Sequence, residues 1–482
     1  MTCKARPVPT TRVSGPDFDA VRAEFELPTS FPPDVLAEAG RAAGHQPRPG
    51  PDRVDATAVE LVTIDPPGSK DLDQAVGVTR RNGGFRVRYA IADLGAVVVP
   101  DGPLDTEVRR RGQTVYLPDG SVPLHPPVLS EEAASLLPDG PRAAVLWTID
   151  LDEEGEPSAV DVRRALVRSR ARLDYAGVQA DHEAGRLHPA IAALPELGRL
   201  RRKLAVRRGA VELELPEQEV VRAPDGGWTV QVRQRLDVEA WNAEISLLTG
   251  MAAAQIMLTT GVGLLRTLPQ PEPSAVAELR RTARKLGISW PDDVTAAEVL
   301  AALPLDTPHA LALRRAATTL LRGAGYAAFD EEAGTAPPAD PGHGGIGAPY
   351  AHVTAPLRRL VDRFGTEVCL AATAGRELPE PLRAALPDLP ELMAASDAVA
   401  GKVSRACVDR TEASLLADRV GDELQVVVLR SSGPGGEPGE VFLPQPPVLA
   451  RCTGQLPAGE TIRVRLTEAD PAVGRIEFAA PH

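Results

Sequence analysis

The sequence predicts an α+β protein with a small β-barrel at its C-terminal end, and three features lead to that prediction. Helical periodicity dominates from about 174 to 415. Before that region, apolar runs bounded by Gly, Pro and Asp turns predict strands at 59–65, 85–94, 144–152 and 158–171. After it, short strand-like runs return at 424–430, 440–443, 461–466 and 474–478. The last group favours a five-stranded barrel of the OB type, with four of its strands visible in the sequence.

Length and charge limit the kinds of protein this chain can be. Its 482 residues are enough for two or three domains. The 66 acidic residues outnumber the 53 Lys and Arg, for a net charge of −13, which argues against a uniformly basic nucleic-acid-binding surface. A local basic groove stays compatible with this balance. The four cysteines have no metal-ligand spacing, and no apolar run reaches about 18 residues. We therefore expect a cytoplasmic protein without a membrane span.

The element pattern divides the chain into an N-terminal extension (1–57), a main domain (58–415) and the barrel (416–482). The extension has one short helical stretch at 33–43 and is too small for a core of its own. In the main domain, Ser274 and Thr295 are predicted to begin helices. A further helix is predicted at 356–372, with its Leu, Val and Phe residues on one face and its Arg and Asp residues on others.

Three aspartates lie within nine positions, in a strand that runs into a Pro-Pro-Gly turn. Asp71 and Asp73 project to one side if the chain is extended there, and Asp65 ends the strand and could face them across the turn. Converging carboxylates repel one another, and a divalent cation relieves that repulsion; Mg²⁺ or Mn²⁺ suits such hard oxygen ligands. Spacing alone favours a solvated Asp-rich turn, because Asp is a common turn residue.

The wider context resembles the RNB family of exoribonucleases, the ribonuclease II and ribonuclease R group. Besides the Asp-x5-Asp-x-Asp pattern, segments resemble that family in the same order along about 58–415. These segments are Ile91-Ala92-Asp93, Leu104-Asp105, Val115-Tyr116-Leu117-Pro118, Ser135-Leu136, Leu173-Asp174-Tyr175, 242–254 and Thr354-Ala355-Pro356-Leu357-Arg358-Arg359. The resemblance implies an RNB catalytic core of mixed or antiparallel sheet with surrounding helices. The two cold-shock barrels of larger members have no counterpart in the residues before this core, so we expect weaker RNA binding.

The resemblance also implies hydrolysis of single-stranded RNA from its 3′ end, with release of nucleoside 5′-monophosphates by a two-metal mechanism. Asp65, Asp71 and Asp73 would hold two Mg²⁺ (or Mn²⁺) ions, with Asp71 and Asp73 catalytic and Asp73 indispensable. The family usually has a fourth aspartate next, where this chain has Gln74. Glutamine offers a neutral carbonyl oxygen, so we expect Gln74 to be a weaker metal ligand.

Other residues receive roles from the same resemblance. Arg358 would neutralise charge on the scissile phosphate, with Arg359 contacting RNA beside it; both would otherwise be expected on a solvated helix face. Stacking against RNA bases is implied for Tyr116 and Tyr175, for which the alternative is packing in the core. The resemblance further implies RNA contacts for Glu244 and Asp409. His352 is interpreted as structural.

Three functions remain open from the sequence. The first is a compact exoribonuclease acting on single-stranded RNA as a monomer. The second is a catalytically weak or inactive RNA-binding protein that keeps the fold, which Gln74 favours and which retention of the three aspartates with Arg358 opposes. The third is a divalent-metal phosphoesterase of small nucleotides.

Overall fold

The structure is a computed structural model that describes residues 15–45, 48–213, 215, 217–233, 235–304, 307–433 and 435–481. The strands are β1 (Val54–Asp55), β2 (Leu61–Asp65), β3 (Gln74–Arg81), β4 (Gly84–Ala92), β5 (Val115–Leu117), β6 (Gly120–Val122), β7 (Arg142–Leu151), β8 (Pro157–Val167), β9 (Ser169–Asp174), β10 (Glu217–Arg222), β11 (Trp228–Arg233), β12 (Val262–Thr267), β13 (Gly325–Asp330), β14 (Gly342–His343), β15 (Ala348–Pro349), β16 (Glu423–Arg430), β17 (Gly439–Pro444), β18 (Pro447–Thr453), β19 (Thr461–Asp470) and β20 (Arg475–Ala479). The helices are α1 (Phe18–Glu24), α2 (Pro33–Ala43), α3 (Pro103–Arg111), α4 (Tyr175–Glu183), α5 (Leu194–Arg207), α6 (Asp237–Thr260), α7 (Pro273–Lys285), α8 (Ala296–Ala302), α9 (Pro308–Ala317), α10 (Leu360–Thr373), α11 (Glu380–Ala385) and α12 (Leu389–Leu416).

A mixed seven-stranded sheet forms the centre of the main domain, in the order β1-β8-β7-β4-β3-β2-β9. Its middle strands pair antiparallel, whereas β2 and β9 pair parallel. α10 packs against β8 and against α6, and Tyr89 and Trp147 are fully buried in the large core. The predicted α+β class is confirmed. The parallel pairing places the ends of two strands side by side, with Asp65 opposite Asp174.

The C-terminal strands close into a barrel in the order β16-β17-β18-β20-β19, which confirms the predicted architecture. The strand that the sequence did not reveal is β18, which a two-residue turn separates from β17. Because only two residues separate them, the apolar runs of β17 and β18 look like a single run in the sequence. The barrel has its own apolar cluster, which includes Val426, Val448 and Phe478.

Local differences from the predicted elements have identifiable causes. The helix predicted from 356 begins only at Leu360, because Arg359 is extended (φ −133°, ψ 126°) and the chain before it forms a turn. α7 begins at Pro273, one residue before the predicted start, and uses proline in its first turn. Thr295 caps α8 as predicted, in a capping box with Glu298. β3 and the β10–β11 hairpin were not predicted.

The N-terminal extension packs onto the main domain through a shared apolar cluster. Phe18 of α1 meets Trp228 of β11 edge to face, with ring centroids 5.1 Å apart. The same cluster contains Val115 of the β5–β6 hairpin and Val403 of α12. The predicted helix at 33–43 is confirmed as α2. The domain limits themselves stay a prediction. Within the described residues, no helix combines the length and apolar character that crossing a bilayer requires.

Glu412 of α12 lies buried where the helix meets the barrel, and it generates a prediction about pH. Its carboxylate accepts hydrogen bonds from the Leu449 N–H (3.3 Å) and from Gln218, while burial raises its pKa from 4.5 to about 8. The folded protein therefore binds a proton more tightly than the unfolded chain. Its free energy of unfolding should fall as the pH rises from about 4.5 through 8.

We expect Glu412→Gln to remove this loss, because the amide stays neutral at every pH. Urea unfolding between pH 5 and pH 9 measures the effect: the variant should gain stability relative to wild type as the pH increases. Glu391→Gln, at an exposed position of the same helix, is the control and should follow wild type. Parallel pH profiles for wild type and Glu412→Gln would contradict the prediction.

Candidate active site

The loop after β2 brings the predicted aspartates to one edge of the sheet. The Ser135 hydroxyl donates to the Lys70 carbonyl (2.6 Å) and accepts from the Leu72 N–H (3.0 Å), which holds the loop extended. Leu72 is completely buried between Asp71 and Asp73. In an extended segment of this kind, Asp71 and Asp73 lie on the side opposite Leu72.

Each aspartate has a different environment. Asp73 is 4% exposed; its Oδ1 accepts the Leu357 N–H (2.7 Å), and its Oδ2 lies 3.5 Å from the Arg358 Nε. Burial raises the pKa of Asp73, while Arg358 and the Leu357 N–H oppose that rise. Asp71 accepts a hydrogen bond from the Tyr116 hydroxyl (3.0 Å). Asp65 keeps one buried oxygen, Oδ2, without a hydrogen-bond partner.

The metal-ligand roles expected for Asp65, Asp71 and Asp73 stay predictions. Among the residues described, no three His, Cys, Asp or Glu side chains are grouped closely enough to hold a metal ion. Asp71 raises the pKa of Asp65 and of Asp73, whereas the opposite charge of Arg358 lowers both.

The donor chemistry nevertheless fits a divalent cation. Burial raises the pKa of Asp65 to about 6, with Arg358 opposing and Asp71 adding to the rise. Its unpartnered Oδ2 is a hard oxygen donor with a free acceptor position, and the Asp71 carboxylate is near enough to raise its pKa. The three aspartates thus supply the type of ligand and the negative charge that Mg²⁺ or Mn²⁺ requires.

Gln74 uses both ends of its side-chain amide within the protein. Its Nε2 donates to the Thr354 carbonyl (2.7 Å), and its Oε1 accepts from the Tyr89 hydroxyl (2.6 Å). The Tyr89 hydroxyl also lies 2.7 Å from the Ser246 Oγ. The predicted metal ligand is therefore already engaged by β4, α6 and the turn that carries Arg358.

Buried Asp362 determines the shape of the turn at 354–359. Its Oδ1 accepts the Ala355 N–H (2.7 Å), and both its oxygens accept from the Arg359 guanidinium at 2.8 Å. Arg359 is thus paired within the protein, which leaves Arg358, 47% exposed, as the arginine free to meet a substrate. Arg358 lies in this turn and not on the predicted helix.

Behind this turn, His352 is half-buried, and its Nδ1 lies 2.7 Å from the Tyr326 hydroxyl. Burial lowers the pKa of His352 well below its ordinary value, which holds the ring neutral. A neutral, hydrogen-bonded imidazole in this position agrees with the structural role expected from the sequence.

A cavity of about 850 Å³ opens beside Arg358 and extends along α5 and α6. Its walls include Gln74, Tyr175, Asn242, Glu244 and Ser246. The ionisable groups in its lining are seven cations and three glutamates, a surplus of four positive charges: Arg202, Lys203, Arg208, Arg233, Arg235, Arg358 and Arg359, with Glu212, Glu239 and Glu244. The chain therefore contains a basic cavity next to its acidic loop although its net charge is negative. Such a local basic groove is compatible with the charge balance of the sequence.

The remaining predicted residues fall in two places. Tyr175 begins α4, and its hydroxyl lies 3.4 Å from the Asn242 Nδ2 on the cavity wall. Tyr116 is half exposed, with its hydroxyl on Asp71. Glu244 is 6% exposed, burial raises its pKa, and its Oε2 has no hydrogen-bond partner. Asp409 is separate from these residues, because it packs on α12 against the barrel turn at Gly474.

Sequence reasoning missed Tyr89, Asn242 and Ser246 as individual site residues. The residues on either side of Asn242 and Ser246 are apolar or small, and Tyr89 lies within a strand pattern, so no spacing marks these three residues out. It also passed over the cations of α5. The signal for these was present, since Arg and Lys occupy six of the ten positions from 199 to 208.

Comparison with known proteins gives matches over most of the chain. The profile described as RNB domain matches residues 53–365, and that of the RNase II-type exonuclease C-terminal S1 domain matches residues 422–480. Ribonuclease R of Escherichia coli (strain K12) is 30% identical over 367 residues, which are 72% of this chain and 44% of that protein. The chain thus spans less than half the length of this curated relative.

Solved structures share the fold at low sequence identity. Apo Mycoplasma genitalium RNase R superposes with a TM-score of 0.84 at 19% identity, over 96% of this chain and 77% of that one. The same values hold for that enzyme in complex with ribose-methylated single-stranded RNA. Yeast Ssd1, described as a pseudonuclease, matches with a TM-score of 0.70 at 17% identity, over 91% of this chain and 55% of that one.

The pairing of Asp362 with Arg359 leads to a prediction about stability. Asp362→Ala should lower the free energy of unfolding by about 3–5 kcal/mol, because it leaves a buried guanidinium without its counter-ion. Chemical denaturation measures the loss. Asp161→Ala removes an exposed Asp–Arg pair and should cost no more than about 1 kcal/mol. Equal effects of the two substitutions would show that Asp362 does not hold the turn.

Proposed function

The chain belongs to the RNB family, and from that premise we propose that it is a metal-dependent 3′→5′ exoribonuclease. Its substrate is single-stranded RNA, and its products are nucleoside 5′-monophosphates. One observation carries the proposal: the basic cavity of about 850 Å³ begins at Arg358, and Arg358 lies 3.5 Å from buried Asp73. A polyanion in this cavity would bring a phosphodiester to the acidic loop.

Asp65, Asp71 and Asp73 would hold Mg²⁺ or Mn²⁺, two ions in the full proposal. Gln74, whose amide atoms both have protein partners, is left out of that ligand set. When bound, such ions activate a water for attack and stabilise the leaving 3′ oxygen. The position of these acidic residues beside the half-exposed Arg358 supports these separate roles.

The protein's own residues bind and orient the RNA. Arg358 has its guanidinium half exposed and would neutralise charge that develops on the scissile phosphate. Tyr175 and Glu244 line the cavity and would contact the terminal nucleotide, as the resemblance implied. The cations of α5 would hold phosphates further along the strand. Tyr116, bound to Asp71, would orient that carboxylate, and its half-exposed ring is free for a base to stack on.

A second function, an RNA-binding protein without nuclease activity, is favoured by one feature of this chain. Position 74 has no carboxylate, and each end of its amide has a hydrogen-bond partner within the protein. The likeness to a pseudonuclease is compatible with the same possibility. Against it stand three retained aspartates and an available Arg358. Asp409, which lies away from the cavity, has no part in either proposal. Cytoplasmic location and a monomeric state stay predictions.

A degradation assay separates these functions. The substrate is a 5′-labelled single-stranded RNA of a few tens of nucleotides, with Mg²⁺ or Mn²⁺ titrated. We expect a ladder that shortens from the 3′ end and releases nucleoside 5′-monophosphates, identified by mass. Asp73→Asn should abolish RNA degradation, and Arg358→Ala should lower kcat by about 10²–10³-fold.

The control is Asp161→Asn, which makes the same Asp-to-Asn change at an exposed position. This variant should degrade the RNA as wild type does. Intact RNA at every metal concentration, with retarded mobility of the RNA on a native gel, would leave only the RNA-binding function. Cleavage of small nucleotides but not of RNA would favour the phosphoesterase.

A further inference from the structure

We propose that Gln74 is a positioning residue, which ties the aspartate loop to the turn that carries Arg358, and that it does not bind the metal. The inference rests on the proposed function, since it assigns a role within that site. Two parallel links join the same segments: the Asp73 Oδ1 accepts the Leu357 N–H (2.7 Å), and the Gln74 Nε2 donates to the Thr354 carbonyl (2.7 Å).

The hydrogen bonds of Gln74 have a fixed polarity. A backbone carbonyl can only accept, so the amide nitrogen must face Thr354. The amide oxygen then faces the Tyr89 hydroxyl, 2.6 Å away, which has a single proton and donates it to Gln74. The Tyr89 oxygen is left to accept from the Ser246 hydroxyl at 2.7 Å. The result is a directed relay, Ser246 to Tyr89 to Gln74 to Thr354.

This relay spans the elements that form the site. Ser246 lies on α6 in the cavity wall, Tyr89 is 1% exposed in β4, and Gln74 begins β3 directly after Asp73. Thr354 lies in the turn of Arg358, which Asp362 holds from its other side. Gln74 therefore helps set the distance between the Arg358 guanidinium and Asp73.

A carboxylate could not take the same place in this chain. An ionised acid at position 74 has only acceptors, and one of them would face the Thr354 carbonyl oxygen. The resulting repulsion would push the turn away from the aspartate loop. The opposite hypothesis, that Gln74 is a weak metal ligand, predicts that an acid here strengthens metal binding.

Steady-state RNA degradation and direct Mn²⁺ binding, measured by electron paramagnetic resonance, distinguish the two hypotheses. For Gln74→Asp and Gln74→Glu we expect kcat to fall by about 10²-fold, the effect of misplacing a catalytic group by about 1 Å. We expect no gain in Mn²⁺ affinity. Tighter Mn²⁺ binding with equal or higher kcat would overturn the proposal. Gln255→Glu, the same change at an exposed position of α6, is the control.

Tyr89→Phe tests the relay without a change of charge and away from the metal site. We expect kcat to fall roughly fivefold, as for the loss of one hydrogen bond, with Mn²⁺ affinity unchanged. Combined with Gln74→Met, which removes both amide hydrogen bonds, the two losses should be less than multiplicative, because both variants break the same relay. Loss of unfolding stability alone, with kcat of the folded enzyme unchanged, would reduce Gln74 to a structural residue and refute the proposal.

RNA binding in EDTA, followed by fluorescence anisotropy, separates failure of this inference from failure of the proposed function. If wild type binds RNA but never degrades it, the nuclease proposal fails. The positioning role then predicts a roughly fivefold weaker RNA affinity in Tyr89→Phe, because Arg358 is displaced. If wild type does not degrade RNA and Tyr89→Phe binds RNA as tightly as wild type, the positioning role of Gln74 is overturned as well.

Discussion

The site depends on how the turn at 354–359 is held against the loop that ends in Asp73. Asp362 holds the turn from within, through the Ala355 N–H and the Arg359 guanidinium. The Leu357 N–H and the Thr354 carbonyl then attach it to Asp73 and Gln74. These bonds join parts of the chain about 280 residues apart. Because they are buried and short, the position of Arg358 is determined by the fold and not by a flexible side chain alone.

The same bonds give the two neighbouring arginines different roles. Arg359 lies inside the turn and is neutralised by Asp362, so it stabilises the backbone that presents Arg358. Arg358 lies farther from its carboxylate, with its Nε 3.5 Å from the Asp73 Oδ2, and its side chain remains half exposed. A pair of arginines that looks equivalent in the sequence therefore contains one structural residue and one that can meet a phosphate.

Charge is distributed unevenly in this acidic molecule. The cations of α5 and the β11 end line the cavity, whereas the acidic loop lies at its head. Such an arrangement attracts a polyanion locally while the net charge of −13 keeps the rest of the surface unattractive to it.

The α1 helix and the β10–β11 hairpin, joined through Phe18 and Trp228, pack against the strand pair that carries Tyr116.

The sequence by itself determined the α+β class, the barrel, the aspartate loop and the arginine block. These depend on local periodicity and on short motifs, which a chain carries wherever it folds. It also predicts that Asp71 and Asp73 lie on one side, since alternation around Leu72 requires only an extended backbone. β18 and the start of α10 were not predicted, because a two-residue turn hides the boundary between β17 and β18 and because apolar periodicity does not report the hydrogen bonds of Asp362 to Ala355 and Arg359.

Only the tertiary structure decided which polar groups are partnered. Whether Gln74 faces an ion or a carbonyl depends on Tyr89, Ser246 and Thr354, which three separate segments bring to it. Likewise, Asp409 looked like a site residue in the sequence but lies at the barrel contact. Hydrogen bonds act over about 3 Å, whereas a sequence pattern reports only neighbours along the chain. For that reason the residue types of this site were predictable, and their pairing was not.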